Sequence, residues 1–224
     1  NNILEFNYNV SYSKTNSSWV DHGAYQQAMK YNPTMPVYAE PSDPNYVKYG
    51  GYYQNFDKSG FSNPVAMVMQ PTDDGGDQTF LGSVRATIKP IAGLRISAFG
   101  SYQYWNRSTG KYLPSNSVAG NGTGGQASKS NDFNTTRMFE ATAQYTNEIQ
   151  SHAFTVLAGY AYQDFVSESF NGSNTQFATD DFLYNNLGLG EGINNLTNGG
   201  SKDGIGISSW KEEWKLASVF GRIN

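Results

Sequence analysis

Four stretches of the sequence hold residue types from which a reactive or ligand-binding site could be built. "GNGTGG" (120–125) satisfies G-x-G-x-x-G. That pattern grips a pyrophosphate only when a strand delivers it and a helix N-terminus follows it. Here Ser, Asn and Lys surround it without helical period, so a flexible loop is the reading. "DDGGD" (73–77) sets Asp73, Asp74 and Asp77 among glycines. It lacks the spacing and the closing Glu of a calcium loop, so it reads as a solvated turn. His22 and His152 stand in unlike contexts, far from the three or four clustered ligands that zinc needs, and no Ser–His–Asp set suggests itself. Glu212 and Glu213 are adjacent; on a strand they point to opposite faces and cannot work as an acid/base pair. With no cysteine in the chain, thiolate chemistry is excluded. The sequence therefore names no catalytic residue, no metal ligand and no cofactor site, and the chain reads as a non-enzyme.

The residues that remain are aromatics set in polar stretches: Trp19, Tyr38, Tyr46, Tyr49, Tyr52, Tyr53, Tyr112, Phe182 and Tyr184. A ring can stack on a sugar or anchor a protein partner, because it covers much area at little entropic cost. It can equally pack a long loop against itself. Trp19, Tyr38, Tyr52, Tyr53, Tyr112, Phe182 and Tyr184 are the candidate substrate- or partner-contact set.

What positions them follows from composition and period. The 224 residues are 15% charged and 15% aromatic, with 24 glycines and a negative mean hydropathy of -0.58. Low charge with many Tyr and Asn suits a wall wet on one face and oily on the other. The net charge of -4, with no basic run, argues against nucleic acid. No apolar run reaches the length of a spanning helix. Alternation of period two recurs at 3–14, 78–89, 94–105, 134–147, 153–165 and 210–224. In the first, Leu4, Phe6, Tyr8, Val10 and Tyr12 alternate with Glu5, Asn7, Asn9 and Ser11. In the last, Ala217, Val219, Gly221 and Ile223 share a face, and Phe220 then points the wrong way. Each run exceeds an ordinary globular strand and is long enough to cross a bilayer at a tilt.

The connections alternate too. The stretches 15–77, 106–133 and 166–209 are long, whereas "PIAG" (90–93) and 147–152 are short. Short turns on one side and long loops on the other are the pattern of an outer-membrane barrel. Three loop stretches read as helices: 21–33 with Asp21 as cap and Tyr25, Ala28 and Met29 on one side, 63–71 opened by Asn63 and Pro64, and 178–192 capped by Thr179 or Asp180. Segments 115–131 and 198–206 read as mobile. Arg should be costly at Val84 or Val156 and tolerated at Thr87 or Thr155. The chain starts inside one strand pattern and stops inside another, so it reads as a piece of a longer protein.

"YQQAMKYNPTMPVY", "NPVAMV", "LGSVRATIKPIAGLRISAFGSY", "FLYNNLGLG" and "KEEWKLASVFGRIN" together resemble the SusC/RagA family of TonB-dependent outer-membrane transporters. The resemblance implies an all-β fold: six long antiparallel strands, a segment of a 22-stranded transmembrane β-barrel with long extracellular loops carrying short helices. Residues 1–224 would be part of the barrel domain, with the plug domain absent from the chain. It further implies import of an oligosaccharide or peptide, a SusD-like surface lipoprotein as lid, TonB acting through the absent plug, and outer-membrane lipid around the wall. Under it, Arg85, Lys89, Arg95, Glu140 and Arg222 would form a wall network with the plug. The alternatives are a passive porin or adhesin barrel, and a soluble all-β carbohydrate-binding module.

Overall fold

The computed structural model describes residues 3–54, 62–150, 152–192 and 206–224. Strand β1 (Leu4–Ser18) is followed by helices α1 (Gly23–Lys30) and α2 (Pro64–Met69). Then come β2 (Thr72–Ile88), β3 (Leu94–Leu113), β4 (Gln126–Ile149) and β5 (His152–Thr175). Two 3-10 turns (Leu183–Asn185 and Leu187–Leu189) precede β6 (Gly206–Ile223). The six strands form one antiparallel sheet in chain order, β1-β2-β3-β4-β5-β6. It does not close on itself.

The register carries one face unbroken across all six strands. Tyr8 pairs with Val84, Val84 with Gly100, Gly100 with Phe139, Phe139 with Tyr162 and Tyr162 with Ala217. Directly paired residues share a face, so the apolar rows form one surface, called outward here. The inward face shows Asn7, Arg85, Phe99, Glu140, Ala161 and Ser218 at the neighbouring level. No second sheet covers the outward rows among the described residues. Tyr8 is 84% exposed and Val219 85% exposed. The buried apolar side chains (Ala24, Tyr49, Ala66, Tyr112 and Ala127) all lie in or beside the long connections. A soluble sandwich would bury its apolar rows against each other, and this sheet has no such core.

On β2 the outward apolar row runs from Phe80 to Ile88, nine residues. At 3.3 Å per residue and a 35–45° tilt, nine residues rise about 21–24 Å, close to the height of a barrel's apolar belt. The belt's upper edge also steps along the sheet. On β1–β3 it ends at Tyr12, Phe80 and Tyr104; on β4–β6 it ends four residues lower, at Phe139, Tyr162 and Ala217. Strands inclined to a flat belt produce this step, because residues paired across a ladder then lie at different heights.

The short lower turns fit their sequences. Gly93 has φ +80°, and a Cβ there would stand 2.2 Å from the Thr146 carbonyl oxygen. Phe220 points inward, as its parity demands, and its ring lies over Gly159, where a Cβ would meet it at 2.3 Å. A ring laid across a bare backbone covers the gap a glycine leaves in a strand. The residue that broke the alternation is thus explained by the glycine opposite it.

Several expectations need correction. Every strand runs further up than its alternation: β1 to Ser18, β2 from Thr72, β3 to Leu113, β4 from Gln126, β5 to Thr175 and β6 from Gly206. Above the lipid both faces are wet, so backbone pairing continues after the apolar rhythm has stopped. The β3–β4 connection is therefore only 114–125, and 126–131 is strand rather than a mobile segment. "DDGGD" lies inside β2, not in a turn. The stretch 178–192 forms two 3-10 turns instead of a helix. Helix α1 has His22 at its N-cap without a side-chain bond, while Asp21 Oδ1 accepts from the Gly23 N–H at 2.7 Å. Thr87 is buried and hydrogen bonded to Ser97 at 2.9 Å, so an Arg there would not be tolerated. The mobile reading of 198–206 lies outside the described residues except for Gly206, which is in β6.

Candidate functional site

The upper connections are tied together by four polar side chains. Asn63 is fully buried. Its Oδ1 accepts from the Val65 and Ala66 N–H groups and so caps α2. Its Nδ2 donates to the Val37 and Tyr53 carbonyls at 2.7 and 3.0 Å, and its backbone N–H donates to Gln54 Oε1. Gln70 Nε2 donates to the Tyr49 and Asn116 carbonyls, joining this connection to the next one. Asp180 accepts from Tyr112 Oη at 2.5 Å and from the Ser115 N–H and hydroxyl. Asn174 Nδ2 donates to the Leu187 and Gly190 carbonyls. Hydrogen bonds therefore link the described parts of the three long connections to one another.

The candidate aromatics divide between surface and joint. Tyr38 and Tyr52 form a bridge and a ring pair 5.4 Å apart, with Tyr38 65% exposed. Tyr53 donates its N–H to Val37 and is half-buried. Phe182 is half-exposed. Tyr112 is fully buried, edge-on to Phe177 at 5.7 Å, and acts as a joint closed to any ligand in this conformation. Tyr184 lies on Gly110, where a Cβ would stand 2.3 Å from its ring. Burial, then the nearby Asp74 carboxylate, raises its phenol above the ordinary value. Trp19 covers Gly75 and lines a cavity of about 280 Å³ with Met67, Leu113 and Val118; the Lys111–Asp73 pair, 3.7 Å apart, sits at its rim. The structure brings Tyr38 to Tyr52 but does not gather all seven residues at one point.

Sequence reasoning missed the inner wall. Trp105, Trp210 and Trp214 all have inward parity. Phe165 and Trp214 stack at 5.5 Å. Arg107 lies over Trp105 at 5.3 Å and holds Asp77 through two bonds of 2.8 and 3.1 Å. Asn134 accepts from Ser167 and Asp132 accepts from Ser169 beside them. The signal was present: each of these tryptophans falls between outward-facing residues in the alternation. Lower on the same face, Arg85 stands 3.9 Å from Glu140 and 4.7 Å from the Phe99 ring, and Lys89 binds Glu5. Arg95 and Arg222 share that face. The acids of "DDGGD" are separated, Asp73 by Lys111, Asp74 by Ser18 and Asp77 by Arg107.

The Asp180 joint gives a direct test. Asp180→Ala leaves a buried Tyr112 hydroxyl without its acceptor, which costs about 1–3 kcal/mol. Hydrogen exchange should quicken at the Ser115 amide while amides in β2 keep their protection. Unchanged exchange at Ser115 would show that the joint does not hold the loops.

No family model matches the chain. Among curated proteins it is similar to TonB-dependent receptor P3 of Formosa agariphila, 28% identical over 175 residues, or 78% of this chain and 16% of that protein. Among solved structures it matches the RagAB peptide transporter with TM-score 0.72 at 18% identity. The RagAB peptide importer in its closed-closed state gives TM-score 0.69 at 20% identity. Each match covers all of this chain and 24% of the other. The chain thus spans about a sixth of the curated relative's length and a quarter of the solved chains'.

Proposed function

We propose that this chain, a SusC/RagA-like stretch of TonB-dependent receptor barrel, forms part of the wall of a nutrient importer in the bacterial outer membrane. One observation carries the reading: a single register places the apolar rows of six strands on one face and, level with them, the Arg85–Glu140 and Lys89–Glu5 pairs on the other. Lipid demands the first face and a water-filled interior the second. The likeness to a TonB-dependent receptor in sequence and to RagAB in fold supports energised import over passive flow.

In this reading the plug and the TonB-contacting segment lie outside residues 1–224. Arg85, Lys89, Arg95, Glu140 and Arg222 face the plug. Trp105, Trp210 and Trp214 form the interior surface that a passing glycan or peptide touches, with Trp19 above them. A SusD-like lipoprotein rests on the outer connections. Tyr25, Met29, Tyr38 and Val47 stand 72%, 65%, 65% and 81% exposed there, which is the apolar display a partner surface presents.

The test is uptake by cells expressing the full-length product, using a panel of labelled oligosaccharides and peptides. Deleting TonB should abolish accumulation of the accepted cargo, and deleting the partner lipoprotein should reduce it. Uptake that persists without TonB would favour a porin. A second prediction concerns the wall: Trp210→Ala with Trp214→Ala should weaken cargo binding by about 30- to 1,000-fold, since each ring contact is worth about 1–2 kcal/mol. Calorimetry on the purified receptor reads this, and an unchanged affinity would remove the two tryptophans from the site.

A further inference from the structure

We propose that two ladder rungs on the inward face of the upper sheet, spanning β2–β5, form a binding site for a neutral, hydroxyl-rich sugar ring. The proposal rests on the importer reading above and narrows its cargo from glycan or peptide to glycan. Each of β2, β3, β4 and β5 is paired on both sides, so the site lies within the sheet and not at its edge. The lower rung sets Trp105 of β3 beside Asn134 of β4 and Ser167 of β5. The upper rung sets Asp77 of β2, Arg107, Asp132 and Ser169 in line. Neighbours on a rung stand about 5 Å apart and the two rungs about 7 Å apart.

Asp77 fixes one corner. It accepts from Arg107 Nε and Nη2 at 2.8 and 3.1 Å. The indole N–H of Trp105, that ring's one polar group, also turns to Asp77. The Arg107 guanidinium lies over the indole at 5.3 Å. Trp105 is thus held from one side, and no described ring stacks on it from the other. Two serines fix the rest: Ser167 donates to Asn134 Oδ1 at 2.5 Å and Ser169 to Asp132 Oδ1 at 2.6 Å. Those bonds decide which groups remain. Asn134 keeps both Nδ2 hydrogens, Asp132 keeps Oδ2 and Arg107 keeps Nη1, none of them hydrogen bonded among the described residues.

Donors and an acceptor therefore stand beside an open aromatic face. A sugar ring presents the complement: a C–H face that packs on an indole, and a rim of hydroxyls that each donate and accept. A peptide fits worse. Its backbone is recognised by adding to a strand edge, and β3, β4 and β5 have no open edge. Its apolar side chains need apolar pockets, whereas the inward neighbours of Trp105 across β4 and β5 are Asn134, Asp132, Ser167 and Ser169. Charge narrows the class further. Asp77 and Arg107 cancel, which leaves the Asp132 carboxylate as the net charge of the site. An anionic sugar would meet that carboxylate and find no uncommitted cation.

The experiment titrates the purified full-length product by calorimetry with three sets of probes: neutral hexasaccharides of glucose, mannose, xylose and galactose, a hexagalacturonate, and a pool of hexapeptides. At least one neutral hexasaccharide should bind, and the uronate and the peptides should bind about 10-fold more weakly or worse. Trp105→Ala should weaken the accepted sugar by about 10-fold or more. Asn134→Ala, which leaves the Asp77–Arg107–Trp105 corner intact, should weaken it by about 2- to 12-fold and decides the matter if Trp105→Ala does not fold. Asp132→Asn keeps the shape and removes the charge, so it should close most of the gap between the uronate and the neutral sugar. Tightest binding by the peptides or the uronate, no binding in any set, or a sugar affinity that neither Trp105→Ala nor Asn134→Ala moves overturns the proposal. TonB-dependent uptake of a peptide would sink it and leave the importer reading standing. Uptake without TonB would sink the importer reading and leave the sugar affinity to be read on its own.

Discussion

Val84→Arg should destabilise the folded barrel in lipid by about 2–4 kcal/mol, while Ser83→Arg, one residue away, should be close to neutral. Val84 sits at the middle of the apolar row on β2, between Tyr8 and Gly100, and is half-exposed where hydrocarbon would lie. A guanidinium there has no water and no acid partner. Ser83 points to the other face between Asn9 and Ser101, two small polar neighbours with room for a long side chain. Urea titration of the full-length product in lipid vesicles measures both. Equal costs at the two positions would mean that the faces are assigned wrongly. The comparison belongs at Ser83 rather than Thr87, whose hydroxyl is already buried against Ser97.

Asn63→Leu should have the largest effect on the outer loops, about 3–8 kcal/mol of local stability. Two backbone carbonyls, those of Val37 and Tyr53, lose their shared donor, at about 1–3 kcal/mol for each polar group left unpaired. The helix α2 also loses its N-cap, worth about 1–2 kcal/mol. Asn63→Asp keeps the cap acceptor but turns a carboxylate oxygen onto the same two carbonyls, so it should also loosen this connection. Hydrogen exchange should rise at Val65, Ala66 and the backbone of 37–53, with the strands unaffected. If Asn63→Leu exchanged like the natural protein, Asn63 would not be what holds that connection in shape.

The lower half of the sheet was legible because lipid imposes a period of two. The strand starts and ends near Leu4, Ile88, Leu94, Ile149 and His152 lie within a few residues of where alternation and the turn residues of 90–93 put them. The upper ends were not legible. Asp73, Gly75 and Gly76 read as a turn, yet they pair with Lys111, Thr109 and Ser108. With both faces wet, backbone hydrogen bonding leaves no hydrophobic trace in sequence. Asn63 and Pro64 announced α2 correctly, because a cap and an N1 proline act locally. Asp180 was read as a helix cap and proved to be a joint to Tyr112, 68 residues away, a long-range partner no local pattern encodes. The inner tryptophans were written in the alternation itself, at inward positions of the strands rather than in the loops.

Strands β4 and β5 are each 24 residues long. On β4, the twelve residues from Gln126 to Arg137 lie above the belt, a rise of about 30 Å. The sheet is thus a turret, standing far above its apolar rows. Under the proposed import, cargo would first meet it well clear of the cell surface, on a rim braced by sheet rather than hung from slack chain. That rim is free of the demands of oil, so its residues could change with the cargo while the anchoring rows below stay as they are.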